Sequence, residues 1–89
     1  MPTVTFTPAL ERFLDVAATT VDGATLGEAL AAVFATKPAL RGYLLDDLGA
    51  LRRHVAVYVN GAPARDRLRL SDPLAPRDSI YVFQALTGG

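Results

Sequence analysis

The sequence predicts an α+β fold: a mixed sheet of four to five strands with one main helix across one face. Three observations carry that reading. Strand-type segments stand near both ends of the chain, at Thr3–Thr7 and Ser79–Ala85. One stretch of helical periodicity, opened by Thr25 and Glu28, lies between them. Later, Asn60-Gly61 separates two segments as a two-residue hairpin turn does, because a type I′ turn needs positive φ at both positions.

The elements follow in order. Val4 and Phe6 face one way and Thr3, Thr5 and Thr7 the other, the alternation of a half-buried strand, which Pro8 ends. A second strand is expected over Asp15–Val21, before the turn signal Asp22-Gly23. Thr25 and Glu28 have capping-box spacing, and Leu26, Ala29, Leu30, Val33 and Phe34 then form one apolar stripe. Pro38 disfavours helical geometry at Lys37, so the helix stops there. Pro38–Ala50 reads as an irregular crossover with a short helical turn, broken by Gly42 and Gly49. A third strand is expected over Arg53–Val59, a short fourth over Arg65–Leu70, and a last one after the turn Pro76-Arg77-Asp78. Strand, strand, helix, crossover, strand, short strand, strand is the β-grasp order, in which the last strand lies centrally beside the first. Helices on one face alone make it α+β.

Composition bounds the function. A chain of 89 residues is one small domain that buries roughly two-thirds of its unfolded surface. Formal net charge is zero, so nothing draws the whole molecule to nucleic acid or an anionic membrane. With no cysteine, disulfides, thiolate zinc sites and cysteine-ligated iron–sulfur clusters are excluded. No secretory signal and no run of membrane-spanning length is visible, so the expected compartment is the cytoplasm. His54 has no second histidine at ligand spacing, and Asp46-Asp47 reads as a loop cap. No phosphate-binding glycine loop or nucleophile elbow is present, and nothing argues for an enzyme.

The end of the chain is more informative. The apolar strand Ile80-Tyr81-Val82-Phe83 runs into a tail closing on Gly88-Gly89. Glycine has no Cβ, so such a tail can thread a narrow channel and bring its backbone close to another molecule. The expected division is a domain over residues 1–85 and a flexible tail over 86–89, with the Gly89 carboxylate as the functional group.

Several short motifs then carry a resemblance. Val4-Thr5-Phe6, Thr25-Leu26-Gly27-Glu28-Ala29-Leu30, Val57-Tyr58-Val59-Asn60-Gly61, Asp78-Ser79-Ile80-Tyr81-Val82-Phe83 and Leu86-Thr87-Gly88-Gly89 occur in this order along essentially the whole length. Together they resemble the ubiquitin-like sulfur carriers of the MoaD/ThiS type. Pro76-Arg77-Asp78 stands where that family commonly has Asp-Gly-Asp, and Gln84-Ala85 where it often has a stiffer element. The resemblance implies a co-substrate, with no cofactor held permanently. An E1-like adenylyltransferase using ATP and magnesium would adenylate Gly89, and a sulfur donor would then leave a thiocarboxylate there. Leu86, Thr87 and Gly88 would thread the partner's active site. The implied acceptor is a cysteine synthase, with a metalloprotease trimming the adduct, or the large subunit of molybdopterin synthase. Length and the stretch 51–60 resemble carriers for cysteine synthesis more than the shorter thiamine-thiazole carriers, with molybdopterin-type carriers close behind.

Tyr81 and Phe83 share one face of the last strand, and Tyr58 is expected beside them. The resemblance makes this outer face, Phe83 included, the surface where partner enzymes dock. The alternative is a central strand buried on both sides under Tyr43 or Leu44. Arg65, Arg67 and Arg69 on one strand face read as a charged edge that resists aggregation, or as steering toward an acidic partner. Two other function classes stay open. One is a protein modifier conjugated to lysines through Gly89, and the other is a binding module that needs no tail.

Overall fold

The computed structural model describes residues 1–6 and 18–84. Its elements are β1 (Thr3–Phe6), β2 (Ala18–Thr20), α1 (Leu26–Thr36), α2 (Pro38–Leu44), β3 (Val55–Val59), β4 (Ala62–Pro63) and β5 (Ser79–Gln84). Thr7 and Asp15–Ala17, expected in the first two strands, lie outside the described residues, as does Ala85. The five strands form one sheet in the order β2-β1-β5-β3-β4. β5 is central, parallel to β1 and antiparallel to β3. This is the β-grasp arrangement that the element order predicts.

α1 starts and stops where its local chemistry dictates. Thr25 Oγ1 accepts from the Glu28 amide at 3.2 Å, and Glu28 Oε1 accepts from the Ala24 amide at 3.0 Å. Two further first-turn amides are satisfied from elsewhere: Leu26 N–H donates to Asp72 O and Gly27 N–H to Leu70 O. The predicted stripe Leu26, Ala29, Leu30, Val33 and Phe34 is the buried face. It packs with Val4, Phe6, Val55, Val57, Ile80 and Val82 in one core. The crossover is more regular than expected. Pro38 stands at the first helical position, where a missing N–H costs nothing, and a seven-residue helix follows. Leu40 and Leu44 plug it into the core.

Two strand assignments change. β3 begins at Val55 rather than Arg53, because Arg52–Val55 is a tight turn closed by Val55 N–H donating to Arg52 O at 3.0 Å. Asn60 and Gly61, at φ 52° and 84°, then reverse the chain as predicted. The strand after them is the two-residue β4, and Arg65–Leu70 is no strand at all. Asp66 folds that segment into a loop. Its Oδ1 accepts from the Leu68 and Arg69 amides, and its Oδ2 accepts from the Ser71 hydroxyl and amide. Asp72 holds the loop's start by accepting from the Arg65 and Asp66 amides. These local side-chain bonds outcompete a ladder. The three arginines therefore do not share a strand face. Leu70 closes the loop in the left-handed region at φ 56° with its side chain buried.

Candidate functional site

β5 divides its side chains between two environments. Ile80 and Val82 point into the core, while Tyr81 and Phe83 are each 39% exposed on the outer face. The register sets Tyr58 directly opposite Tyr81, and Ala56 opposite Phe83. The rings of Tyr58 and Phe83 meet edge to face at 5.4 Å, and those of Tyr81 and Phe83 lie 4.4 Å apart. Tyr58, Gly61, Ser79, Tyr81 and Phe83 line an apolar depression of about 320 Å³. Burial under the crossover is ruled out, because Leu44 is wholly inside the core and Tyr43 packs against that same core. Adjacent large apolar side chains left in water are the informative kind of exposure.

The patch is lopsided. On the β1 side, Thr5 pairs with Tyr81 and Thr3 with Ser79, and both threonines are half-buried. On the β3 side stand Ala56 and Tyr58, with Pro63 of β4 paired to Tyr58. Apolar surface thus runs from β5 toward β4, and hydroxyl-bearing surface lies the other way.

Asp78 fixes the entry to β5. Its Oδ2 accepts from the Ala75 amide at 2.8 Å, and its Oδ1 accepts from Asn60 Nδ2 at 2.8 Å. The Asn60 amide oxygen in turn accepts from the Ser79 N–H. These bonds, the Ala75 amide first, hold the Asp78 carboxyl below its ordinary value. Arg77 keeps negative φ, so the turn accommodates the missing glycine without strain. In the other loop, the Ser71 hydroxyl and then the backbone amides lower Asp66 to about 2. Sequence reasoning missed Asp66, Asp72 and the Asn60–Asp78 pair as organisers. The signal was there in Asp and Asn flanking turns, where their side chains bond the backbone.

Among the described residues no group of three or more His, Cys, Asp or Glu converges as a metal site. His54 is half-buried in the turn before β3. Asp46 caps a loop as predicted, its Oδ1 accepting from the Leu48 and Ala50 amides. Among the described residues no helix is long and apolar enough to cross a membrane. Leu86, Thr87, Gly88 and Gly89 lie outside the described residues.

A family model described as the ThiS family matches residues 10–89. The chain belongs to the ThiS family. Comparison with curated proteins finds no match. Among solved structures, SAMP1 from Haloferax volcanii is 30% identical with a TM-score of 0.79, covering 99% of this chain and 98% of its own. Mycobacterium tuberculosis CysO is 26% identical with a TM-score of 0.86, covering 97% and 100%. A chain from the Amycolatopsis orientalis BexX/CysO complex has a TM-score of 0.88 over the whole of both chains at 23% identity, a likeness of fold.

Proposed function

We propose that this ThiS-family protein is a sulfur carrier, adenylated and then thiocarboxylated at Gly89, that donates sulfur to a biosynthetic acceptor. The observation that carries the reading is the family match running through Leu86-Thr87-Gly88-Gly89, directly downstream of a strand that bares Tyr81 and Phe83. A carboxylate is a poor electrophile. An E1-like adenylyltransferase with ATP and magnesium would let a Gly89 carboxylate oxygen attack the α-phosphate and expel pyrophosphate. A sulfur donor then displaces AMP, leaving a thiocarboxylate whose softer, more nucleophilic sulfur passes to the acceptor. Residues 1–85 are the domain that the partner grips at Tyr58, Tyr81 and Phe83, and residues 86–89 are the tail that enters its active site. Need for ATP puts the cycle in the cytoplasm. We rank cysteine synthesis first among acceptors, ahead of molybdopterin synthesis, and the 26% identity to Mycobacterium tuberculosis CysO supports that order.

The test is intact-protein mass of a chain ending at Gly89, expressed with a matching adenylyltransferase and carrying any tag at its N-terminus. Replacement of one oxygen by sulfur, absent when Gly89 is deleted, is the expected result. An unchanged mass with that enzyme active would refute the carrier reading.

One observation favours a second reading. SAMP1, the 30% identical structure, belongs to proteins called small archaeal modifiers. As a modifier, this chain would join target lysines through Gly89. Its one lysine, Lys37, is the only internal amine on which self-chains could grow. Lys37→Arg should then abolish any ladder of self-conjugates on a denaturing gel, and a ladder that survives would sink that linkage.

A further inference from the structure

β3 and β5 are antiparallel, and their register ends with Val55 opposite Gln84. The chain therefore leaves β5 toward Gly89 from the edge where the Arg52–Val55 turn enters β3. Arg52 and Arg67 are held together at that edge, with Arg53 the next residue of the turn. Arg53 sits exposed in the middle of the turn. Arg52 Nε donates to Gly42 O at 2.9 Å, and Arg67 Nη2 donates to Arg52 O at 2.8 Å. Leu51 N–H donates to Arg67 O, which ties the two loops side by side.

The partners are what distinguish this cluster. Arg52 and Arg67 are positioned by neutral carbonyl oxygens, and none of the three arginines pairs with a carboxylate among the described residues. The carboxylates of the adjoining loops are committed elsewhere, Asp46 and Asp66 each to backbone amides of its own loop. Asp47, on the Asp46 loop, is exposed. Among the described residues the positive charge of Arg52 and Arg67 is oriented by carbonyl oxygens and meets no carboxylate.

We infer that Arg52, Arg53 and Arg67 form a collar at the foot of the tail that docks on carboxylates at the mouth of the partner channel receiving Gly89. This inference rests on the activation of Gly89 proposed above. Reach decides between a protein anion and the nucleotide. Gly89 is the fifth residue after Gln84, and an extended chain spans about 17 Å over five residue steps. A phosphate joined to Gly89 in a threaded tail stands that far from the strand end, so the collar meets the channel rim. Rim charges of this kind set association rate and its salt dependence more than the chemical step.

The experiment is ATP–pyrophosphate exchange by the E1-like adenylyltransferase of the same cell, with full-length carrier varied at low and high salt. The variants are Arg53→Glu and Arg53→Lys, at an exposed position where both should fold. For Arg53→Glu the carrier KM is expected to rise on the order of tenfold at low salt, with kcat and the KM for ATP unchanged. The gap should narrow at high salt through screening, and Arg53→Lys should restore the wild-type value. Wild-type exchange with an unchanged carrier KM for Arg53→Glu overturns the collar alone. A change in kcat or in the KM for ATP instead overturns the channel rim as its target. No exchange with the wild-type carrier overturns the activation of Gly89, and the collar with it.

Discussion

Phe83→Ala separates the two jobs that an exposed aromatic can do. In the free protein its ring lies tilted against Tyr81 and meets Tyr58 edge to face. Each contact of this kind is worth about 0.5–1.5 kcal/mol, so the substitution should lower stability by roughly 1–3 kcal/mol. A domain of this size has about 4–13 kcal/mol at its disposal and stays folded. Binding obeys a different sum. A phenylalanine offers roughly 200 Å² of side-chain surface, and 39% of this one remains in water. Covering the resulting area of about 80 Å² at roughly 25 cal/mol per Å² is worth about 2 kcal/mol, or near thirtyfold in Kd. The assay pairs a urea unfolding curve with calorimetric titration of the adenylyltransferase, both at one temperature. A clear fall in urea midpoint with Kd unchanged within twofold would refute the assignment of this face as the docking surface.

Three other expectations test the scaffold. Leu30→Ala, at a fully buried position on the inner face of α1, should cost about 2–5 kcal/mol in urea unfolding. Gly23→Ala places a Cβ 2.7 Å from the Ala29 amide nitrogen, a contact with backbone that must shift. It should destabilise by about 1–3 kcal/mol, read as a lower Tm. Asp66 has its carboxyl depressed in the folded state, from 3.8 to about 2. Its contribution is therefore complete above the unfolded value and is lost as pH falls toward the folded one. The wild-type Tm should drop between about pH 4 and pH 2, while Asp66→Asn should start lower at neutral pH and show a shallower drop.

The parts legible in the sequence were those with a single physical cause. Five apolar positions at helical spacing, a Thr–Glu cap and a following proline define α1 whatever surrounds it. Asn60-Gly61 likewise admits few geometries. The loop at Arg65–Leu70 deceived because alternating arginine and leucine satisfies a strand pattern, whereas Asp66 and Asp72 decide the matter through bonds that no periodicity encodes. Exposure of Tyr81 and Phe83 was equally undecidable in advance. It depended on whether α2 packs above or below the sheet, and Leu40 and Leu44 settle that only by being seen in the core. The arginine cluster is out of reach too, since Arg67 comes to Arg52 across a loop that the alternation over residues 65–70 does not encode.

The central position of β5 bears on how the protein is made. Among the described strands the last in chain order supplies the middle of the sheet, with Thr3 of β1 paired to Ser79 of β5. Until the ribosome has delivered that strand, β1 and β3 have no common neighbour, and Val4, Phe6, Val55 and Val57 lack Ile80 and Val82 to pack with. Contacts this distant in sequence pay their loop-closure entropy before they return anything, so folding waits on β5. A truncated chain is thus left without both a closed core and the residues beyond Gln84. Any partner that binds the outer face of β5 therefore meets only chains in which that strand has been delivered and has folded into place.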